Sequence, residues 1–167
     1  MKKYWQQVKA EEIKIWLEKE FSGAEFGLVE NASPQGLVVP SDQLIAIMQW
    51  LHSDSRLYFD MLSCITGLDN GPEVNTMEVI YNLYSIPHDF HLMVKVILDR
   101  EKPAVSTLTN IWKTADWQER EVYDMYGIDF KGHPDLRRIL MPADWEGYPL
   151  RKDYQEQTYY RGMKVKY

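Results

Sequence analysis

The sequence predicts an α+β fold: a two-layer domain with a mixed, mostly antiparallel sheet of about five strands, helices on one face, and an irregular C-terminal arm. Three observations predict it. Periodic segments run in the order helix, two short strands, helix, three strands, then helices. The chain has 167 residues, 45% hydrophobic and 26% charged, enough for one domain with a real core and short for two. After Gly127 the periodicity stops while aromatic and charged residues stay dense. Residues 1–130 therefore read as an α+β core domain, and 131–167 as an extended C-terminal interaction segment of the same single domain.

The first helix is expected over residues 11–21, where Ile13, Trp16, Leu17 and Phe21 fall at helical spacing before Ser22-Gly23. Residues 24–30 and 36–39 read as short strands around a turn at Asn31-Ala32-Ser33-Pro34. Pro40-Ser41-Asp42 then opens a second helix with Ser41 as N-cap and Leu44, Ile47, Met48 and Leu51 as its buried stripe. Strands follow over 58–66, 77–85 and 90–98, the last alternating best. Gly67 to Pro72 is read as a turn, and residues 85–89 join the last two strands as an antiparallel hairpin. Asp99 to Pro103 is a charged turn. Val105, Leu108, Ile111 and Trp112 mark a short helix, and residues 117–125 a further one. The six tryptophans, Trp5, Trp16, Trp50, Trp112, Trp117 and Trp145, sit mostly on apolar faces as core or interface residues.

The formal net charge is −6 and the isoelectric point about 5.2, which argues against nucleic-acid binding. The charge is uneven: residues 1–130 carry 11 Lys/Arg against 20 Asp/Glu, whereas 131–167 carry 8 against 5. A basic, tyrosine-rich tail on an acidic body suits docking onto an acidic surface. Cys64 is the single cysteine, which excludes an internal disulfide and any cluster ligated by several cysteines. It falls in an apolar strand and reads as buried and structural. No stretch reads as a signal peptide or a membrane-spanning helix, so the chain is expected to be soluble and to meet a membrane only through partners.

Between Asp116 and Tyr154 the chain packs nine acidic and six basic residues among seven aromatics, cut by three prolines and three glycines. Glu121 and Asp124 are three apart on a helix and share a face, while Glu119 points elsewhere. Such a carboxylate pair can hold a metal or act as acid and base, with His52, His88, His91 or His133 to complete it. None of these histidines has the spacing that metal-binding helices use. The stronger reading pairs the acids with Arg120, Arg137, Arg138 or Arg151 through charge-assisted hydrogen bonds. Arg137-Arg138 and Arg151-Lys152 lack any glycine-rich phosphate loop, and arginine with tyrosine or tryptophan at this density anchors protein interfaces. His133, in a Gly-His-Pro turn, is expected to tie that turn to the acidic helix.

The run Glu119-Arg120-Glu121, Asp124, Gly127-Ile128, Phe130, Gly132-His133-Pro134, Leu136-Arg137-Arg138-Ile139-Leu140, Pro142, Asp144-Trp145, Gly147 and Pro149-Leu150-Arg151-Lys152-Asp153-Tyr154 closely resembles one family. That family is the C-type or thirty-kilodalton subunit of respiratory complex I, the proton-translocating NADH:quinone oxidoreductase. The resemblance implies a small α/β body without flavin or iron–sulfur cluster; FMN and the clusters belong to partner subunits. It also implies a connecting role in the hydrophilic arm at the cytoplasmic side of the bacterial inner membrane, packed against the D-type subunit with the B- and I-type subunits nearby. The complex, and not this chain alone, would move electrons from NADH to quinone. On this reading Glu119, Arg120, Glu121, Asp124, His133, Arg137, Arg138, Trp145, Arg151, Lys152, Asp153 and Tyr154 form a partner-binding or structural motif. Helix and arginine loop make a charged platform, and the tail from Arg151 lies extended with Tyr154, Tyr159 and Tyr160 as anchors. The alternatives are the equivalent subunit of a membrane-bound hydrogenase or other relative, and a free-standing enzyme using Glu121 and Asp124.

Overall fold

The computed structural model of the chain describes residues 8–29 and 32–165; Trp5, Glu30 and Asn31 lie outside the described residues. Helix α1 (Ala10–Glu20) carries Glu11 and Glu12 in its first turn, where carboxylates favour the helix dipole, and buries Ile13 and Leu17. Two three-residue strands follow, β1 (Gly27–Val29) and β2 (Gly36–Val38). Ser41 does not cap the next helix. Residues Ser41–Gln43 form a 3-10 turn with no side-chain cap, and α2 (Leu44–Ser53) begins after it. Its buried residues are the expected Leu44, Ile47, Met48 and Leu51.

The main sheet is built on β3 (Met61–Asp69), β4 (Thr76–Ser85) and β5 (Phe90–Asp99). Strand order is β1-β2-β5-β4-β3, antiparallel throughout except where β2 runs parallel to β5. The inner face is set by strict alternation: Met77, Val79, Tyr81 and Leu83 of β4 and Leu92, Val94 and Val96 of β5 are fully buried in one apolar core with α1 and α2. An α+β body with a mixed sheet is thus what the pattern of periods predicted.

Three expectations are corrected. Strand β3 starts three residues later and runs through Gly67-Leu68-Asp69, which had read as turn. The chain before it is occupied otherwise: Phe59 N–H donates to Leu51 O at 3.2 Å, and Tyr58 turns the backbone with φ +41°. The expected helix around Val105 is instead strand β6 (Ala104–Ser106), which pairs in parallel with β7 (Asp129–Lys131) across helix α3 (Ala115–Tyr126). Local helical spacing there was overridden by a strand partner more than twenty residues away. Cys64 is exposed, because an irregularity between Leu62 and Cys64 turns its side chain to the outer sheet face while Leu62 and Ile65 both face inward.

The free edge of β3 is covered by side chains from the segment leading into α3 and from the first turn of α3 itself. The Trp112 indole donates to Phe59 O (3.1 Å), the Thr114 hydroxyl to Leu62 O (3.1 Å), and the Ile65 N–H donates to Gln118 Oε1 (2.6 Å). These bonds replace a neighbouring strand and fix α3 beside the sheet. Closeness is possible because Gly67 has no side chain: a Cβ there would lie 2.6 Å from the Tyr126 ring and 3.0 Å from Val122. Gly67→Ala should therefore lower unfolding free energy by about 1–3 kcal/mol through overpacking. Urea denaturation measures it, and unchanged stability would show that α3 can move off the sheet at no cost.

Candidate functional site

Helix α3 presents its Ala115, Glu119, Val122 side to the core and ends at Gly127, whose φ of +73° lets its N–H close on Tyr123 O at 2.8 Å. Trp117 is 69% exposed. The two carboxylates expected to share a face are separated: Glu121 is exposed, whereas Asp124 and Glu119 are both fully buried. The helix continues in register, but the loop after it wraps the Asp124 side and leaves Glu121 outside.

Asp124 organises that loop. Its carboxylate accepts Arg138 Nη1 at 2.6 Å and the N–H groups of Ile139, Leu140 and Met141 at 3.0, 2.7 and 2.8 Å. Burial opposes its charge, but the Met141 N–H, the Arg138 guanidinium and the other two N–H groups outweigh burial and hold the carboxyl below its ordinary pKa. Arg138 also donates from Nη1 to Asp124 O (3.1 Å) and from Nη2 to Trp145 O (2.9 Å) and Gly147 O (2.8 Å), so one side chain spans helix and loop. Arg120 holds the carbonyls of Arg137 and Arg138 at 3.2 and 3.3 Å, and Arg137 makes an exposed pair with Asp135 at 2.9 Å. Of the expected pairings between motif acids and arginines, Asp124 with Arg138 is the one present.

Tyr148 lies between two guanidinium groups, Arg138 at 5.2 Å and Arg151 at 5.0 Å from its ring centre, and packs on Gly127 where any Cβ would collide with the ring. Arg151 donates to Tyr126 O at 2.7 Å. Further along, the Trp145 indole donates to the Tyr154 hydroxyl at 3.0 Å. Tyr154 is thereby turned toward its own chain. The tail is not simply extended: β8 (Tyr159–Tyr160) and β9 (Met163–Lys164) form a small hairpin. Tyr160 donates to Asp144 at 2.6 Å, and Arg161 donates to the same carboxylate at 2.8 Å. Of the three expected anchors, Tyr159 is the one left strongly exposed.

A second clamp was invisible in the sequence. Asp69, at the end of β3, accepts Arg100 through Nε (2.7 Å) and Nη2 (3.0 Å), the Gly71 N–H (2.9 Å) and the Lys152 N–H (2.8 Å). Arg100 also donates to Asp153 at 2.6 Å. Arg100 lowers the Asp69 carboxyl far below the usual range. Lys152-Asp153 is thus bolted to the far end of the β3–β4 hairpin. Asp69 had read as turn and Arg100 as part of a charged turn. Nothing in local spacing signals a partner 31 or 53 positions away.

Among the described residues, Glu119 has no cationic hydrogen-bond partner. It accepts the Thr107 hydroxyl (2.5 Å) and the Leu108 N–H (2.7 Å), and burial pushes its carboxyl up to about 7. His133, its side chain buried, accepts the Asp135 N–H at Nδ1 (3.0 Å), which leaves the proton on Nε2 facing Asp116 O (3.0 Å). It ties the turn to the acidic helix, as expected. Among the described residues, no group of three His, Cys, Asp or Glu could hold a metal. Glu121 and Asp124 do not form a shared acid–base pair, and the acceptor capacity of Asp124 is taken up by its four donors.

The class is now defined: an α+β domain whose charged motif residues tie a loop-rich arm to the body and leave aromatic and apolar residues outside. Residues 37–160 match the family model described as "Respiratory-chain NADH dehydrogenase, 30 Kd subunit". The chain belongs to this family. It is 50% identical over 123 residues to the C-type subunit of the NADH-quinone oxidoreductase of Chloroherpeton thalassium, 73% of this chain and 50% of the relative. It therefore spans about half the length of that relative. With the protein of the same description from Moorella thermoacetica, identity is 46% over 129 residues, covering 77% and 85% of the two chains. Among solved structures, the trypsin-resistant fragment (1-134) of Nqo5 superposes with a TM-score of 0.60 at 29% identity, covering 74% of this chain and 98% of that one. A chain of the membrane-bound sulfane sulfur reductase, an archaeal respiratory membrane complex, gives 0.69 at 26% identity, covering 87% and 85%.

Asp124→Ala strands the Arg138 charge and three N–H groups, and should cost about 3–5 kcal/mol in chemical denaturation. Glu119 is raised above its ordinary 4.5, so its favourable contribution is complete below about 4.5 and is lost as pH rises through about 7. Asp69 and Asp124 act oppositely, stabilising above the ordinary carboxylate range and losing this as pH falls. Glu119→Gln should remove a pH-dependent loss of about 3 kcal/mol between those limits. An unchanged slope of stability against pH in this window would refute the assignment.

Proposed function

We propose that the chain is the C-type subunit of a proton-translocating NADH:quinone oxidoreductase. It connects subunits of the hydrophilic arm on the cytoplasmic side of the inner membrane, chiefly the D-type, with the B- and I-types nearby. Family membership supports this, and so does the naming of the relatives. The single observation that carries the connecting role is the double clamp, Asp124 with Arg138 and Asp69 with Arg100 and Asp153. It makes residues 133–154 a fixed surface, and leaves Trp117, Leu140, Leu150 and Tyr159 outside as contact residues.

In this reading the assembly passes electrons from NADH to a quinone through FMN and iron–sulfur clusters held by other subunits. In this reading no cluster is held by this chain, whose single cysteine is Cys64. The work of its residues is to hold and orient neighbours. Among the described residues no helix is long and apolar enough to cross a membrane, and membrane association is assigned to the partners. The equivalent subunit of a hydrogenase-like or other relative is the second reading. It is favoured by the likeness to the archaeal sulfane sulfur reductase complex over most of both chains. The free-standing carboxylate enzyme loses its support with the separation of Glu121 from Asp124.

Affinity purification of the tagged chain from gently solubilised membranes tests the proposal. Co-purification of flavin- and cluster-bearing subunits that oxidise NADH with quinone is expected; nickel-bearing partners would support the second reading, and a lone chain would overturn both. Deleting residues 155–167 should reduce recovery of the assembly while the body stays folded. Full recovery would remove the tail from the contact.

A further inference from the structure

We propose that the outer face of the five-stranded sheet, continued over the β3 edge into the groove beside α3, receives an uncharged, apolar element of a neighbouring subunit. The proposal deepens the functional reading above and rests on it. A sheet face turned to water ordinarily alternates polar residues against the apolar inner set. Here the registers place Ile80, Ile97, Met93, Val38, Leu68 and Met61 on the outer side. Ile97, Met61 and Leu68 are 48%, 42% and 41% exposed; the first stands on β5 and the other two on β3, with β4 between.

The charge in the middle of this face cancels within it. Glu78 and Lys95 pair at 2.8 Å in its middle, with side chains only 12% and 20% exposed. Glu78 is held further by the Asn70 amide at 3.2 Å. At one end Tyr84 and His91 stack at 4.3 Å, so their rings extend the apolar surface. In the middle of the face a strongly charged occupant finds no free counter-charge, in contrast to the arm, where arginines and carboxylates alternate. An apolar, uncharged one leaves the ion pair in the middle of the face intact.

Size argues against a second copy of this chain. Strands β3, β4 and β5, of 9, 10 and 10 residues, with the 3 residues of β2 beside them, give at ~4.8 Å spacing a face on the order of 500 Å². Specific interfaces bury roughly 800 Å² on each partner, so two such faces packed on each other fall short. A larger partner can go further, because the surface does not stop at the sheet edge. Cys64 and Thr66 also form one wall of a groove whose other wall is α3, at Glu121, Val122 and Tyr126.

The chain carries its own probe for this face, since Cys64 is the single cysteine and is exposed on it. N-ethylmaleimide labelling of Cys64 is followed by the mass of this chain, in the isolated protein and in the purified complex. A second probe is Ile97→Cys in a Cys64→Ser background; both positions are exposed, and a thermal melt confirms that the variant folds. Both thiols should react readily in the isolated chain and an order of magnitude or more slowly in the complex. Free-chain rates at both positions inside an intact complex would overturn this proposal while leaving the functional reading standing. Protection already present in the isolated chain, and relieved by dilution, would mean that a second copy covers the face and would overturn the assigned occupant. A chain recovered without any complex would overturn the functional reading and this proposal together.

Discussion

The Asp124 carboxylate is the point on which the C-terminal third depends. Three prolines and two glycines between Gly132 and Tyr154 break that stretch, which forms no helix or strand of its own. Its peptide groups must find partners elsewhere, and Asp124 accepts three consecutive N–H groups at once while pairing with Arg138. Burying a carboxylate is costly in itself. Four short donors, one of them charged, offset that cost here, and Arg138 carries the same order onward to the carbonyls of Trp145 and Gly147. Irregular chain is thereby made rigid without regular structure.

The second clamp does for the end of the arm what Asp124 does for its start. Asp69 ends β3 and Arg100 follows β5, so the two outer strands of the β3–β4–β5 meander bring them together where the sheet ends, with Lys152 and Asp153 laid across them. Between the clamps Tyr148 fills the space between two guanidinium groups and rests on Gly127. A protein that joins others must offer a surface already in place, since ordering a loose arm on binding would weaken the contact. Glu119 stands apart from this scheme. It is equally buried but satisfied by a hydroxyl and one N–H alone, so it remains the carboxyl on α3 raised toward neutrality.

The body and the arm present different kinds of surface. The arm offers charge and aromatic rings in fixed positions, while the outer sheet face is apolar and internally neutralised at Glu78 and Lys95. A two-layer fold covers one face of its sheet with its own helices and leaves the other to whatever lies beside it. The β3 edge shows the same economy: Trp112, Thr114 and Gln118 cap its backbone, so the strand is held without a neighbouring strand.

The sequence by itself determined whatever local period and side-chain chemistry dictate. It yielded the fold class, α1, the buried stripe of α2, the alternation of β5 and part of that of β4, and the extent of α3 to within two residues. The motif that carries the family was legible for the same reason, being contiguous in the chain. Tertiary structure decided the rest, because the deciding partners lie far away in sequence. Val105 became a strand through Phe130, and Cys64 turned outward through an irregularity that no propensity marks. Glu121 and Asp124 parted because the loop covers only one of them. Asp69 found Arg100, and Arg100 found Asp153, across 31 and 53 positions through long-range hydrogen bonds that local spacing cannot signal.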